Sequence, residues 1–133
     1  MLRDVIMALK VLHGFGYAHG DLKPENICAR ETKEGKIKFT LIDFGLCHKL
    51  PPPDQPLKMN KYFRGNLMFA SDHQLKQYRS NKFCDLISLV HVAYYFIYKS
   101  LPWTRYIEAI MSKDKSLNKY YPLEFTKIRK QNK

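Results

Sequence analysis

Two short segments hold most of the side chains that could do chemistry. The first is His19-Gly20-Asp21-Leu22-Lys23-Pro24-Glu25-Asn26, and the second is Asp43-Phe44-Gly45. Moving a phosphoryl group onto a hydroxyl needs a carboxylate to orient the hydroxyl and take its proton. It also needs a cation to neutralise the moving group, and oxygen ligands for the Mg²⁺ ions that bridge the phosphates. In that scheme Asp21 is the base, Lys23 the cation, and Asn26 with Asp43 the metal ligands. Asp21 and Asn26 lie five residues apart on one tight loop, so both can face one cleft. Asp43 ends a strand beside that loop, and Gly45 lets the backbone turn sharply after it.

Each residue alone has an ordinary reading. Asp21 could cap a loop, Lys23 could be a solvated surface lysine, Asn26 a turn residue and Asp43 a strand-end cap. Their occurrence together, in order and in a strand–loop–strand context, favours the chemical reading. His19 reads as a packing residue and not as a proton carrier. His13, His48, His73 and His91 show no ligand spacing and read as surface or core histidines; Trp103 reads as packing.

The elements that must position these residues follow from periodicity. Leu2, Val5, Ile6, Leu9 and Leu12 form an apolar stripe at helical spacing, predicting a helix over 1–13 that ends at Gly14 and Gly16. A short strand follows 17, another runs Ile27 to Ala29, and a third runs Ile37 to Ile42 after a charged turn at Glu31 to Lys36. These strands are expected to form one small hairpin-like sheet. Residues 46–66 read as a long loop, since Pro51 to Pro53 and Pro56 exclude helix. A short helix is expected at 70–77. Residues 85–98 form the strongest helical run, apolar nearly all round and therefore expected to be central and buried. A weaker helix is expected at 105–112, and Pro122 to Arg129 could begin another.

Composition narrows the class. The chain has 133 residues, 45% of them hydrophobic, which suits one domain or part of one with a real core. The net charge of +11 reads first as a solvated basic surface, then as attraction for an acidic or phosphorylated protein, and last as nucleic-acid binding. Cys28, Cys47 and Cys84 are too far apart for a zinc site or disulfide scaffold, so reduced thiols in cytoplasm or nucleus are expected. Leu86 to Tyr98 is 13 residues long, short of the about 20 that span a bilayer.

The motifs resemble those of the protein kinases, whose catalytic loop reads H-R-D-L-x-x-x-N and is followed by D-F-G. Here the loop reads HGDLKPEN. The stretches GNLMFAS (65–71) and DLISLVHVAYYFIYKSLPW (85–103) are similar to the casein kinase 1 family, and the resemblance covers residues 1 to about 128. It implies serine/threonine phosphorylation with ATP and Mg²⁺ on a protein substrate. It assigns Asp21 and Lys23 to catalysis, Asn26 and Asp43 to metal, and Cys28 to the adenine pocket. The catalytic loop would be 19–26, the activation segment 43–71 and the central helix 85–98, within one partial kinase domain over 1–133. It further implies that Asp85 ties the central helix to the catalytic-loop backbone and that His19 stacks on Phe44. The fold class implied is mainly α with a small β element, a kinase large lobe with the small lobe absent.

Several positions depart from that pattern. Gly20 replaces an Arg that receives activation-loop phosphate in many kinases. Asn66 replaces a Thr that bonds the catalytic Asp and Lys, a task an amide could share. Met68 replaces an Arg that helps bind phosphate-primed substrates. Only 18 residues precede His19, and no Gly-rich loop, V-A-I-K lysine or partner Glu helix precedes it. The chain alone is therefore expected to be inactive. A non-catalytic binding or regulatory module is the alternative, and a nucleic-acid binder ranks last.

Overall fold

The N-terminal stripe folds as its spacing predicts. In the computed structural model, which describes residues 1–52, 55 and 58–113, helix α1 spans Leu2–Gly14 and buries Val5 and Leu9. Gly16 then turns the chain with φ +78. Strand β1 is Tyr17–Ala18, β2 is Ile27–Glu31, β3 is Ile37–Leu41 and β4 is His48–Lys49. Helices α2 (Asp72–Leu75), α3 (Lys82–Tyr98) and α4 (Thr104–Lys113) complete the described chain.

The strands do not make the single sheet expected from sequence. β2 and β3 form an antiparallel hairpin in the register Ile27↔Leu41 to Glu31↔Ile37. β1 instead pairs with β4, Tyr17 opposite Lys49 and Ala18 opposite His48. The loop containing Asp21 leaves one sheet and enters the other. The carboxylate of Asp4 on α1 accepts from the Phe39 amide at 3.0 Å, which ties the hairpin to the helix.

α3 begins three residues before the predicted start at 85. Asn81 caps it, its Oδ1 accepting from the amides of Phe83 (2.9 Å) and Cys84 (3.0 Å). Such a cap stabilises a helix by about 1 kcal/mol. Nor is α3 buried all round. Cys84, Asp85, Ser88, Leu89 and Val92 are buried, whereas Val90 and Ile97 are 65% and 72% exposed. Lys99, in the left-handed region at φ 59, ends the helix.

Two cores position the functional segment. Val5 and Leu9 of α1, Leu22, Leu41 and Leu89 of α3 form one cluster. Leu22, 2% exposed, pins the chain between Asp21 and Lys23, and burying a leucine contributes about 1.5–3 kcal/mol. Leu67, Ala70, Leu75 and Ile107 form a second cluster beneath the 65–75 stretch. The helix expected from Pro122 to Arg129 lies outside the described residues.

α2 carries a pH-sensitive contact. His73 stacks on Tyr78 at 4.8 Å, its Nε2 is buried without a partner, and burial pushes its pKa below the ordinary 6.5. The unfolded chain then binds the proton more readily, so this contribution is complete above pH 6.5 and lost as pH falls below it. Urea midpoints at pH 8 and pH 5 should therefore differ more for the wild type than for His73→Asn; equal differences would refute the assignment.

Candidate functional site

Asp21, Lys23 and Asn26 come together as their spacing predicts. The chain from Lys23 enters a single 3₁₀ turn at Pro24–Asn26. Pro24 sits at its first position, where its fixed φ suits the turn and its missing N–H costs nothing. The turn brings the Asn26 Nδ2 to the Asp21 carbonyl at 2.8 Å and to Asp21 Oδ2 at 3.3 Å. Lys23 Nζ donates to the same Oδ2 at 2.8 Å. That bond, with the charges of Asp21, Glu25 and Asp43 behind it, holds the Lys23 ammonium above its ordinary pKa while burial opposes.

Asp21 Oδ1 is different. It is buried and accepts no hydrogen bond, on a residue only 9% exposed. An unmet buried acceptor costs about 1–3 kcal/mol. A fold that keeps one on a carboxylate, beside an oxygen engaged by Lys23 and Asn26, bears a cost that calls for a reason.

Asp43 is brought near by the second sheet. The Ile42 amide donates to the Asn26 carbonyl at 3.0 Å, which sets the next residue beside the loop. Asp43 itself has φ 60, the left-handed region that Asp tolerates through local bonding. Its Oδ1 accepts from the Gly45 amide at 3.1 Å, and it makes no direct hydrogen bond to Asp21, Lys23 or Asn26. Cys28 lies exposed on β2 opposite Thr40, and makes no hydrogen bond to the three.

The loop backbone is clamped from two sides. Asp85, 1% exposed, accepts from the amide of His19 on Oδ2 at 2.8 Å and of Gly20 on Oδ1 at 2.9 Å. His13 Nε2 donates to the same Oδ2 at 2.8 Å, so this histidine, read from sequence only as a surface or core residue, links α1 to α3. From the other side, Gln74 Nε2 donates to the Gly20 carbonyl at 2.9 Å, while its Oε1 accepts from the Ser71 amide at 3.1 Å. Gly20 needs φ +80, and a Cβ there would lie 3.1 Å from the Leu46 carbonyl. Gly65 packs on the same Gly20 carbonyl, which a Cβ would meet at 3.1 Å. Asp85 stood out from sequence, but His13 and Gln74 did not; the spacing Ser71-x-x-Gln74 was the available signal for Gln74, and it points only to a helix start. Gln74→Leu should leave the Gly20 carbonyl unpaired and cost about 1–3 kcal/mol. Hydrogen exchange at the Asp21 amide should quicken, and unchanged exchange would exclude a clamping role.

His19 packs against Phe44 with ring centroids 5.3 Å apart, tilted by 56° and not stacked. Its Nε2 donates to the Ile42 carbonyl at 3.2 Å, and its Nδ1 accepts from the Asp21 amide at 3.4 Å, so it bridges the two motifs structurally. Asn66 accepts from the Met68 amide at 2.8 Å and does not reach Asp21 or Lys23, which corrects the expected substitution for Thr. Trp103 packs as expected, its Nε1 donating to the Met68 carbonyl at 2.8 Å.

The donor set fits a hard divalent cation. Asn26 spends its NH₂ on Asp21 and keeps Oδ1; Asp43 spends Oδ1 on Gly45 and keeps Oδ2. No group of three or more His, Cys, Asp or Glu suited to a metal exists among the described residues. Two oxygens from the protein with the rest from phosphate and water is the manner in which Mg²⁺ is held. Among the described residues no helix is long and apolar enough to cross a membrane.

Comparison with known proteins agrees with this geometry. The family model for the protein kinase domain matches residues 1–132. A Caenorhabditis elegans protein with a provisional casein kinase I name is 32% identical over 110 residues, covering 80% of this chain and 32% of that protein. A serine/threonine-protein kinase/endoribonuclease of Oryza sativa subsp. japonica is 30% identical over 112 residues, 84% of this chain and 12% of its own length. Another Caenorhabditis elegans protein, with a provisional serine/threonine-protein kinase name, is 32% identical over 97 residues, covering 66% of this chain and 28% of its own. The chain thus spans about a third or less of each of these relatives.

Proposed function

The chain belongs to the protein kinase family, with casein kinase I-like relatives, and from that premise we propose that it carries the phosphoryl-transfer loop of a serine/threonine protein kinase of the casein kinase 1 type, on a helical large lobe. Protein kinases use ATP and Mg²⁺ and act on proteins. The observation that carries the reading for this chain is the Asp21 carboxylate, one oxygen held by Lys23 and Asn26 and the other buried without a hydrogen-bond partner.

In the proposed roles, Asp21 Oδ1 accepts the proton of the acceptor hydroxyl. Lys23 lies within 2.8 Å of the other oxygen and offsets charge on the group being moved. Mg²⁺, when bound, would supply electrostatic stabilisation of the phosphates, and Asn26 and Asp43 would hold it. Cys28 would border the adenine. Serine or threonine is favoured over tyrosine because a lysine stands two residues after Asp21, as in the serine/threonine kinases that the loop resembles. The site of action is proposed to be cytoplasm or nucleus.

Replacing Asp43 with Ala tests the reading. In the natural protein that carries this chain, Mg²⁺-dependent transfer from ATP to protein should fall at least about 100-fold, because positioned metal charge supplies much of this chemistry. Undiminished transfer would remove Asp43 from the metal site. A wild-type protein that neither binds Mg-ATP nor transfers phosphate would leave the family's fold serving a binding role.

A further inference from the structure

Beside the catalytic loop lies an open cavity of about 900 Å³. Pro24 and Glu25 line it on the loop side. Phe63, Met68, Phe69, Phe96, Ile107 and Met111 line it elsewhere, from the 46–71 segment, α3 and α4. Glu25 is the sole charged residue on this lining among the described residues, in a chain whose net charge is +11. No lysine or arginine is among the described residues of this lining, which is largely apolar with one negative charge.

We propose that this cavity takes large apolar side chains flanking the acceptor serine or threonine, so that the chain selects apolar and not acidic or phosphate-bearing substrate segments. The inference rests on the kinase reading and names its substrate class. Three observations lead to it. The lining is continuous with the catalytic loop, since Pro24 and Glu25 belong to the 3₁₀ turn that ends at Asn26. A carboxylate or phosphate placed there would meet no cation among the described lining residues and lie near Glu25, which disfavours the charged form. Met68 is held in the lining, its carbonyl by Trp103 and its sulfur 3.6 Å from Thr104 Oγ1, so an apolar side chain is fixed at the place where the resembled family has a phosphate-binding Arg. The overall positive charge, which suggested acidic substrates, is not carried by the described lining of this cavity.

The test uses the natural protein that carries this chain and a set of serine peptides whose flanking residues are Leu, Phe, Lys, Asp or phosphoserine. The Leu and Phe peptides should be phosphorylated with kcat/KM about 10-fold or more above the Asp and phosphoserine peptides, the discrimination that apolar pockets provide. Phe96→Lys, on a residue 40% exposed and so tolerant of charge, should reduce that preference about 10-fold, chiefly through KM. Met68→Arg should do the same. Preference for Asp or phosphoserine, or variants with unaltered preference, would overturn the proposal. If no peptide is phosphorylated, the kinase reading fails separately, and fluorescence anisotropy then decides: a Leu peptide that binds wild type and not Phe96→Lys supports the apolar groove, and absence of binding overturns it. A photo-crosslinking residue at position 96 that captures residues 114–133 of the same chain would also overturn it, by showing the cavity filled from within.

Discussion

Asp21→Asn should lower turnover of the natural protein by about 10²–10⁴-fold, the range that a positioned general base contributes. The substitution is close to isosteric, so it isolates the chemistry. An asparagine oxygen can still accept from Lys23 and Asn26, which now donate to Asp21 Oδ2 at 2.8 and 3.3 Å. What disappears is the vacant Oδ1 as a proton acceptor. KM for ATP should stay within a few-fold, because Asp21 is not among the residues assigned to the nucleotide or metal. The folded state should change little in stability, since the amide oxygen keeps the bonds from Lys23 and Asn26 and only the charge attraction to the partly exposed Lys23 is lost. Steady-state kinetics with Mg-ATP and a protein substrate, together with a thermal melt, would check both halves. Turnover above about a tenth of wild type would mean that Asp21 is not the base. Turnover lost along with the melting transition would mean that its role is structural.

How much of this was legible in sequence depends on the range over which each contact acts. The Asp21–Lys23–Asn26 cluster spans six residues, and a tight turn with Pro24 dictates its geometry, so spacing alone placed it. The α1 stripe was equally local, and Val5 and Leu9 are buried as the period demanded. Long-range pairings were not legible. β1 pairs with β4 and not with the hairpin, because Tyr17–Ala18 is too short to prefer either partner by its own pattern. His13 meets Asp85 across 72 positions, and nothing in helical spacing reports a partner on another helix. The start of α3 was placed late because the charged Lys82 and Asp85 interrupt the apolar pattern at its N-terminal end, although Asn81 is a strong N-cap signal. The same run was read as buried all round, yet its Phe83, Val90 and Ile97 side lies open to solvent; apolar composition fixes that a helix is hydrophobic, not which of its faces finds a neighbour.

Removing the Asp85 carboxylate should have the largest effect on stability. Its two oxygens accept from the buried amides of His19 and Gly20 and from His13 Nε2, all within 2.9 Å. In Asp85→Ala two buried N–H groups lose their acceptor, each at about 1–3 kcal/mol, and the His13 donor is left facing a void. The total should be about 3–5 kcal/mol, the range for removing one side of a buried charged contact. That is a large fraction of the about 5–15 kcal/mol that folds a typical domain. His13→Ala should cost less, about 1.5–3 kcal/mol, because it removes one hydrogen bond to a charged group and leaves both loop amides satisfied. The ordering is the sharper test, since it separates the clamp on the loop from the link between α1 and α3. Urea midpoints of the two variants should fall in that order, with exchange at the Gly20 amide quickened in Asp85→Ala and near wild type in His13→Ala. Should His13→Ala prove the more damaging, the fold would depend on the α1–α3 link, and the 19–26 loop would be held chiefly from the side of Gln74 and Gly65.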